Sequence, residues 1–246
     1  MKIPFLYLSM IIVFQLLTCQ IIFGQKKQAA VLVFSKTVEY RHLAIEVGKK
    51  AIIELGEKNG FQVDTTEDAS KFNWQYLSKF DAVVFLNTTG DVLNSDQEKE
   101  FQRFIRSGGG FVGIHAATDT EHQWSWYGNL VGAYFNGHPD NPNIRDAKID
   151  VLLEDHPSTR GVPKRWHCTD EWYNYKTINN NITVLMNLDE TSYEDGNMGK
   201  SHPISWCHEY DGGRAWYTGR GHTFESYYEP IFLSNLLGGI HYAVNK

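Results

Sequence analysis

The sequence predicts a doubly wound α/β fold, a mostly parallel sheet with helices on both faces, and three observations carry that expectation. Short apolar runs without alternation, Ala29–Phe34 (AAVLVF), Phe80–Leu86 (FDAVVFL) and Phe111–Ile114, read as strands buried on both faces. Amphipathic helical patterns lie between them, most clearly over His42–Lys58, where Val47, Ala51, Ile52 and Leu55 form one stripe. A polar helical run from Ser95 to Arg106 then breaks at Gly108-Gly109-Gly110, and the strand that follows ends at His115 among small residues. That pattern is a sharp strand-to-helix turn, which lifts one side chain above the C-terminal edge of a parallel sheet, where open α/β folds bind ligands.

The elements follow in order. Strand Ala29–Phe34 leads through Ser35-Lys36-Thr37 into the helix His42–Lys58, which stops near Asn59-Gly60. Phe61–Thr65 alternates weakly as a second strand, and Asp68–Ser78 is a loose, partly helical connection to the strand Phe80–Leu86. Ser95 is a suitable helix N-cap with Glu98 as its capping-box partner. Beyond the elbow, Trp126–Tyr134 reads as a helix, Gly137–Pro142 as a loop, and Ala147–Leu153 and Ile182–Leu188 as strands. Pro203–Glu209 and Gly213–Gly219 form a hairpin through Tyr210-Asp211-Gly212-Gly213, and Ile231–Val244 closes the chain as a helix.

Residues 1–24 stand apart from the fold. Lys2, the apolar run Ile3–Phe14 and a small residue at Gly24 ahead of Gln25-Lys26-Lys27 read as a secretory signal peptide, which makes the protein exported, periplasmic or secreted. Leu16-Leu17-Thr18-Cys19 is a weaker lipoprotein-like alternative that would anchor the chain at Cys19. Residues 25–246 then form a single domain long enough for a full core, with no transmembrane segment in the mature chain. The net charge of −6, without a basic cluster larger than a Lys pair, argues against nucleic acid as a partner. Of three cysteines only Cys168 and Cys207 lie beyond the leader, without zinc-type spacing, and two buried thiols are expected ahead of one bridge.

Ten histidines are many for this length, and His42, His115, His138, His202 and His222 each stand at or beside an element end. Several such ends converge on one sheet edge, so two imidazoles with a carboxylate (Asp119, Glu171 or Glu225) could move protons near neutral pH. The same set could hold a divalent cation, through His115, His138 and His222, although no HxxxH or HExxH spacing supports it. Asn87-Thr88-Thr89-Gly90 could bind an oxyanion or hydroxyl just past a buried strand. Asp170-Glu171-Trp172-Tyr173 sets acids beside aromatics, where burial raises a carboxyl pKa. Loop aromatics such as Trp124, Trp126 and Trp172 are either core caps or sugar-stacking platforms. Neither GxSxG nor a phosphate-binding glycine motif is present, so no nucleotide cofactor is expected.

GGGFVGIHAATDT, the preceding VVFLNTTGD, and the later motifs W-x-W-Y-x-x-L-V-G-A-Y-F-x-G-H-P, D-E-W-Y, H-P-I-S-W and G-G-R-A-W-Y-T-G-R-G-H closely resemble the ThuA-like (trehalose utilisation) family. The resemblance implies a flavodoxin-like fold of the class I glutamine amidotransferase type. Those amidotransferases carry a cysteine at the elbow; here the elbow holds His115, so the resemblance implies no thioester and no glutaminase activity. It implies instead a small-molecule carbohydrate as ligand, a sugar oxidoreductase as partner, and 3-keto disaccharides or glycosides cleaved by acid/base or metal-assisted elimination. On that basis His115 or His222 is the expected base and Glu171 or Asp119 the acid. His42, Thr88, Thr89, His138, Trp172, Tyr173 and His202 are the expected sugar-binding residues. A non-catalytic sugar-binding protein or a scaffold for the oxidoreductase is the alternative.

Overall fold

The computed structural model describes residues 28–245; the leader segment 1–24 and Cys19 lie outside the described residues. The first half alternates as expected: β1 (Ala30–Phe34), α1 (Ile45–Asn59), β2 (Gln62–Thr66), a short α2 (Trp74–Leu77), β3 (Ala82–Leu86), α3 (Ser95–Arg106) and β4 (Gly110–Ile114). After β4 come a 3-10 turn over His115–Asp119, α4 (Ser125–Val131) and a two-residue β5 (Tyr134–Phe135). The rest comprises β6 (Ile144–Val151), β7 (Arg165–Glu171), β8 (Tyr175–Lys176), β9 (Thr183–Asp189), β10 (Pro203–Tyr210), β11 (Gly213–Thr218) and α5 (Pro230–Val244).

Among the described residues nine strands form one sheet in the order β2-β1-β3-β4-β11-β10-β9-β6-β7. The first five run parallel in the flavodoxin-like order, with the switch of direction between β1 and β3. The remaining four extend the sheet by antiparallel pairing. Strands β1, β3 and β4 are buried at every position, as their unalternating apolar sequences require. A packed aromatic group, Phe85 stacked on Phe101 at 5.3 Å with Phe111 and Tyr127 edge-on to each other, fills one side of this centre. Burying each such ring contributes about 1.5–3 kcal/mol.

The glycines at 108–110 have separate causes. Gly108 takes φ +92° just past the helix end, and a Cβ on Gly110 would lie 2.3 Å from the carbonyl oxygen of Ala243 in α5. The tip of the β10–β11 hairpin likewise needs Asp211 and Gly212 at positive φ.

Three expectations are corrected. Asn94, not Ser95, caps α3, with Gln97 rather than Glu98 closing the capping box, because the extended residue whose side chain meets the first free N–H groups is Asn94. The helix expected over Trp126–Tyr134 ends at Val131, where Gly132 turns left-handed, and Tyr134 belongs to β5. The third concerns β7, where the sequence suggested no strand. It is a strand with the burial pattern of alternating faces, and its buried side chains include Trp166, Cys168 and Asp170. Cys168 and Cys207 are both free and buried, in line with the expectation of two thiols. Among the described residues no helix is long and apolar enough to cross a membrane.

Candidate functional site

His115 follows β4 with φ +48°, a left-handed backbone that costs a non-glycine residue of order 1 kcal/mol or more and marks a position held by its surroundings. Its ring is fully buried, and Nδ1–H donates to the carbonyl of Gly219 at 2.9 Å. Nε2 therefore faces outward, 3.2 Å from Glu171 Oε2 and 3.2 Å from His222 Nδ1. His222 Nδ1 is itself 3.0 Å from Glu171 Oε2. His42, just ahead of α1, closes the group, its ring 5.0 Å from those of both His115 and His222 and edge-on to each. Ligand-type atoms of His42, His115, Glu171 and His222 all lie within 4.8 Å of one another.

Four strands deliver these residues to one edge. His42, His115 and His222 come from the C-terminal ends of β1, β4 and β11, and Glu171 is the last residue of β7. Strand β7 lies at the far end of the sheet order, yet it bends back onto the turn after β11. Asp170 makes that junction: its carboxylate accepts from the backbone N–H groups of Gly221 (2.9 Å), His222 (3.1 Å) and Glu171 (3.0 Å) and from the Ser226 hydroxyl (2.8 Å). Arg220 Nε stands 3.4 Å from Asp170, while its head pairs with Glu229 at 2.7 Å and lies over the Trp166 ring. The turn bearing His222 and the strand end bearing Glu171 are thus tied to one buried carboxylate.

A cavity of about 360 Å³ opens above this floor, lined by Tyr40, His42, Asp119, Phe135, His138, Asp140, Asn143, Glu171, Tyr173 and His222. Tyr173 packs its ring 4.1 Å from both His115 and Phe135. Asn143 donates to Glu171 Oε1 at 2.5 Å. His138 Nδ1–H donates to the carbonyl of Pro139 at 2.8 Å, and its Nε2 stands 3.7 Å from Glu171 Oε1. Burial and the neighbouring imidazoles push the His42 pKa down to about 2, so its ring is neutral. Burial alone would raise the Glu171 carboxyl, but hydrogen bonds from His115 and His222 outweigh it and hold the group far below the carboxylate range. The shift runs opposite to the raised pKa expected from the neighbouring tryptophan: Glu171 is a carboxylate packed against two imidazoles.

The expected residues divide accordingly. His115, His222, Glu171, Asp119, His42, His138 and Tyr173 meet at the floor and walls of one cavity. Thr88, Thr89, Trp172 and His202 do not line it. Thr88 Oγ1 meets Thr120 Oγ1 and Thr89 donates to the Tyr40 carbonyl, so both threonines brace loops from inside. Trp172 is fully buried with its N–H on the Arg145 carbonyl. His202 stands behind the wall, bonded to Glu190 and to the Tyr173 carbonyl. Glu225, another of the candidate carboxylates, is exposed. Trp124 and Trp126 stack on each other at 4.9 Å, away from the cavity lining. The sequence reading missed Tyr40, Phe135, Asp140 and Asn143; Tyr40 and Asn143 adjoin recognised histidine segments, and that adjacency was the available signal.

The chain is similar in fold to a ThuA-like protein from Bacteroides uniformis (TM-score 0.76, 23% identity, covering 89% of this chain and 94% of that one). It is similar also to a ThuA-like protein from Parabacteroides merdae (TM-score 0.69, 19% identity, 89% and 91% covered). A beta-galactosidase from Bacillus circulans shares the fold over 30% of its own length (TM-score 0.53, 13% identity, 88% of this chain covered). No curated protein matches the sequence. The family model for trehalose utilisation matches residues 30–243, and the chain belongs to the ThuA family.

Proposed function

We propose that this chain is an exported carbohydrate-processing protein that cleaves 3-keto disaccharides or related glycosides by elimination. The observation that carries the reading is the floor of three imidazoles around one carboxylate beneath walls of Tyr40, Phe135 and Tyr173. Aromatic faces grip the C–H faces of sugars. Family membership supports the carbohydrate class. The apolar leader Ile3–Phe14 supports export.

A carbonyl at C3 acidifies the C2 hydrogen. Removing that proton puts the electron pair into an enolate, which then expels the anomeric oxygen by breaking the C1–O bond. The products are an unsaturated keto sugar and an alcohol; addition of water to the former completes a net hydrolysis. No nucleophile is required. His115 was expected as base, but its ring has no exposed surface and both nitrogens are engaged. His138 suits proton transfer better: its side chain is 30% exposed, and its Nε2 faces the cavity with Glu171 Oε1 3.7 Å away. In this mechanism His138 Nε2 takes the C2 proton and returns it to the departing oxygen, Asp119 orients sugar hydroxyls, and a cation held by the His/Glu floor would polarise the enolate oxygen. The acid role expected of Glu171 is withdrawn, since a carboxylate held ionised has no proton to give.

A sugar oxidoreductase would supply the keto substrate. The test is to incubate the purified mature protein with a 3-keto disaccharide in deuterated water. Exchange at C2 with release of the second sugar is expected. Binding of the unoxidised disaccharide without exchange or product over hours would replace this reading with a non-catalytic sugar-binding role.

A further inference from the structure

Three acceptor-type atoms at the floor stand closer than their protons allow. With Nδ1–H of His115 committed to the Gly219 carbonyl, Nε2 is the ring atom left to meet the floor. It faces Glu171 Oε2 and His222 Nδ1, each at 3.2 Å, and those two are 3.0 Å apart. A single hydrogen on His222 Nδ1 serves that nitrogen's own contacts and leaves the His115–Glu171 contact at 3.2 Å to a further proton or to a cation. A positive centre is needed, either an added proton on His115 or a cation among the three atoms.

We propose that His42, His115, Glu171 and His222 form a divalent transition-metal site of the zinc type. A first-row ion binding nitrogen and oxygen at about 2.0–2.1 Å holds adjacent ligands roughly 3.0–3.4 Å apart, from octahedral to tetrahedral geometry. The 3.0–3.2 Å edges of the triangle have that size. His42 is the fourth donor: its ring is buried, and among the described residues its Nδ1 has no hydrogen-bond partner. The outer contacts aim the donors inward, the Gly219 carbonyl on His115 and Asn143 on Glu171 Oε1, as ligand-orienting partners do. Three imidazoles and one carboxylate select zinc, cobalt, manganese or iron over magnesium and calcium. A bound ion would supply Lewis-acid polarisation of a ligand oxygen.

The inference does not rest on the carbohydrate reading, because its test uses no sugar. Metal content of the chain, purified without chelator, is measured by mass spectrometry; the chelator-treated protein is then titrated with Zn²⁺ and with Co²⁺. About one equivalent per chain is expected, with a higher melting temperature on Zn²⁺ addition and visible absorption bands from Co²⁺. Glu171→Gln and His115→Asn should lose the equivalent, whereas His156→Gln, outside the cavity, should keep it. Absence of bound metal, with no melting shift from Zn²⁺, Co²⁺, Mn²⁺ or Fe²⁺, would overturn the site and leave a protonated triad. The wild-type measurements decide even if a variant fails to fold. Stoichiometric metal without turnover of a 3-keto sugar would retain the site and remove the proposed reaction.

Discussion

Nδ1 of His115 donates to the carbonyl of Gly219 at 2.9 Å, and this one bond decides which nitrogen of the elbow histidine faces the cavity. Because the backbone at His115 is left-handed, the replacement that best preserves the fold is asparagine, which tolerates that conformation. His115→Asn is expected to keep a cooperative thermal transition while lowering turnover of a 3-keto disaccharide by at least about 100-fold. Unchanged turnover would remove His115 from the machinery.

His138 carries the proton in the proposed mechanism. His138→Gln should lower C2 deuterium exchange by about 100- to 10,000-fold, the usual contribution of a general base. Its partial exposure means the melting temperature should hardly move. Exchange at the wild-type rate would transfer the base role elsewhere.

Tyr40 is 61% exposed and lines the mouth of the cavity, so its ring is free to stack on substrate. Tyr40→Ala should raise KM roughly fivefold, about 1 kcal/mol of stacking, with kcat little changed. An altered kcat at constant KM would contradict a binding-only role.

Asp170 holds the His222 turn, the Glu171 backbone and Arg220 from a fully buried position. Asp170→Ala would leave buried N–H groups unpaired and deprive Arg220 of a counter-charge. A loss of about 3–5 kcal/mol in urea unfolding is expected, whereas a loss under 1 kcal/mol would show that Glu229 alone suffices for Arg220.

Glu121 is buried, and desolvation lifts its carboxyl to about 7 although it accepts from the Val92 and Leu93 N–H groups. A carboxyl raised in the folded state binds its proton more tightly there than in the unfolded chain. Its contribution is therefore fully present below the unfolded value near 4.5 and is lost as pH rises through about 7. Glu121→Gln should flatten the decline in melting temperature between those limits. An unchanged pH profile would mean that another group sets it.

Much of this was legible in the sequence. The unalternating runs of β1, β3 and β4 read as buried strands, and the glycine break before His115 as a tight turn; both are consequences of local chemistry. The elbow, the histidine-rich edge and the family motifs followed. The strand that carries Glu171 did not, although the residue itself stood among the candidate acids, because β7 (RWHCTDE) hides its alternation by placing a charged residue, Asp170, on its buried face. Such a pattern reads as a loop until the partners of that carboxylate are known, and those partners lie about fifty residues away on the turn after β11. The exchange between His42, which joins the floor, and His138, which stands in the wall, depends likewise on how loops from separate strands pack. Composition and periodicity determine which elements form; which side chains then touch is a property of their three-dimensional packing, to which a linear pattern has no access.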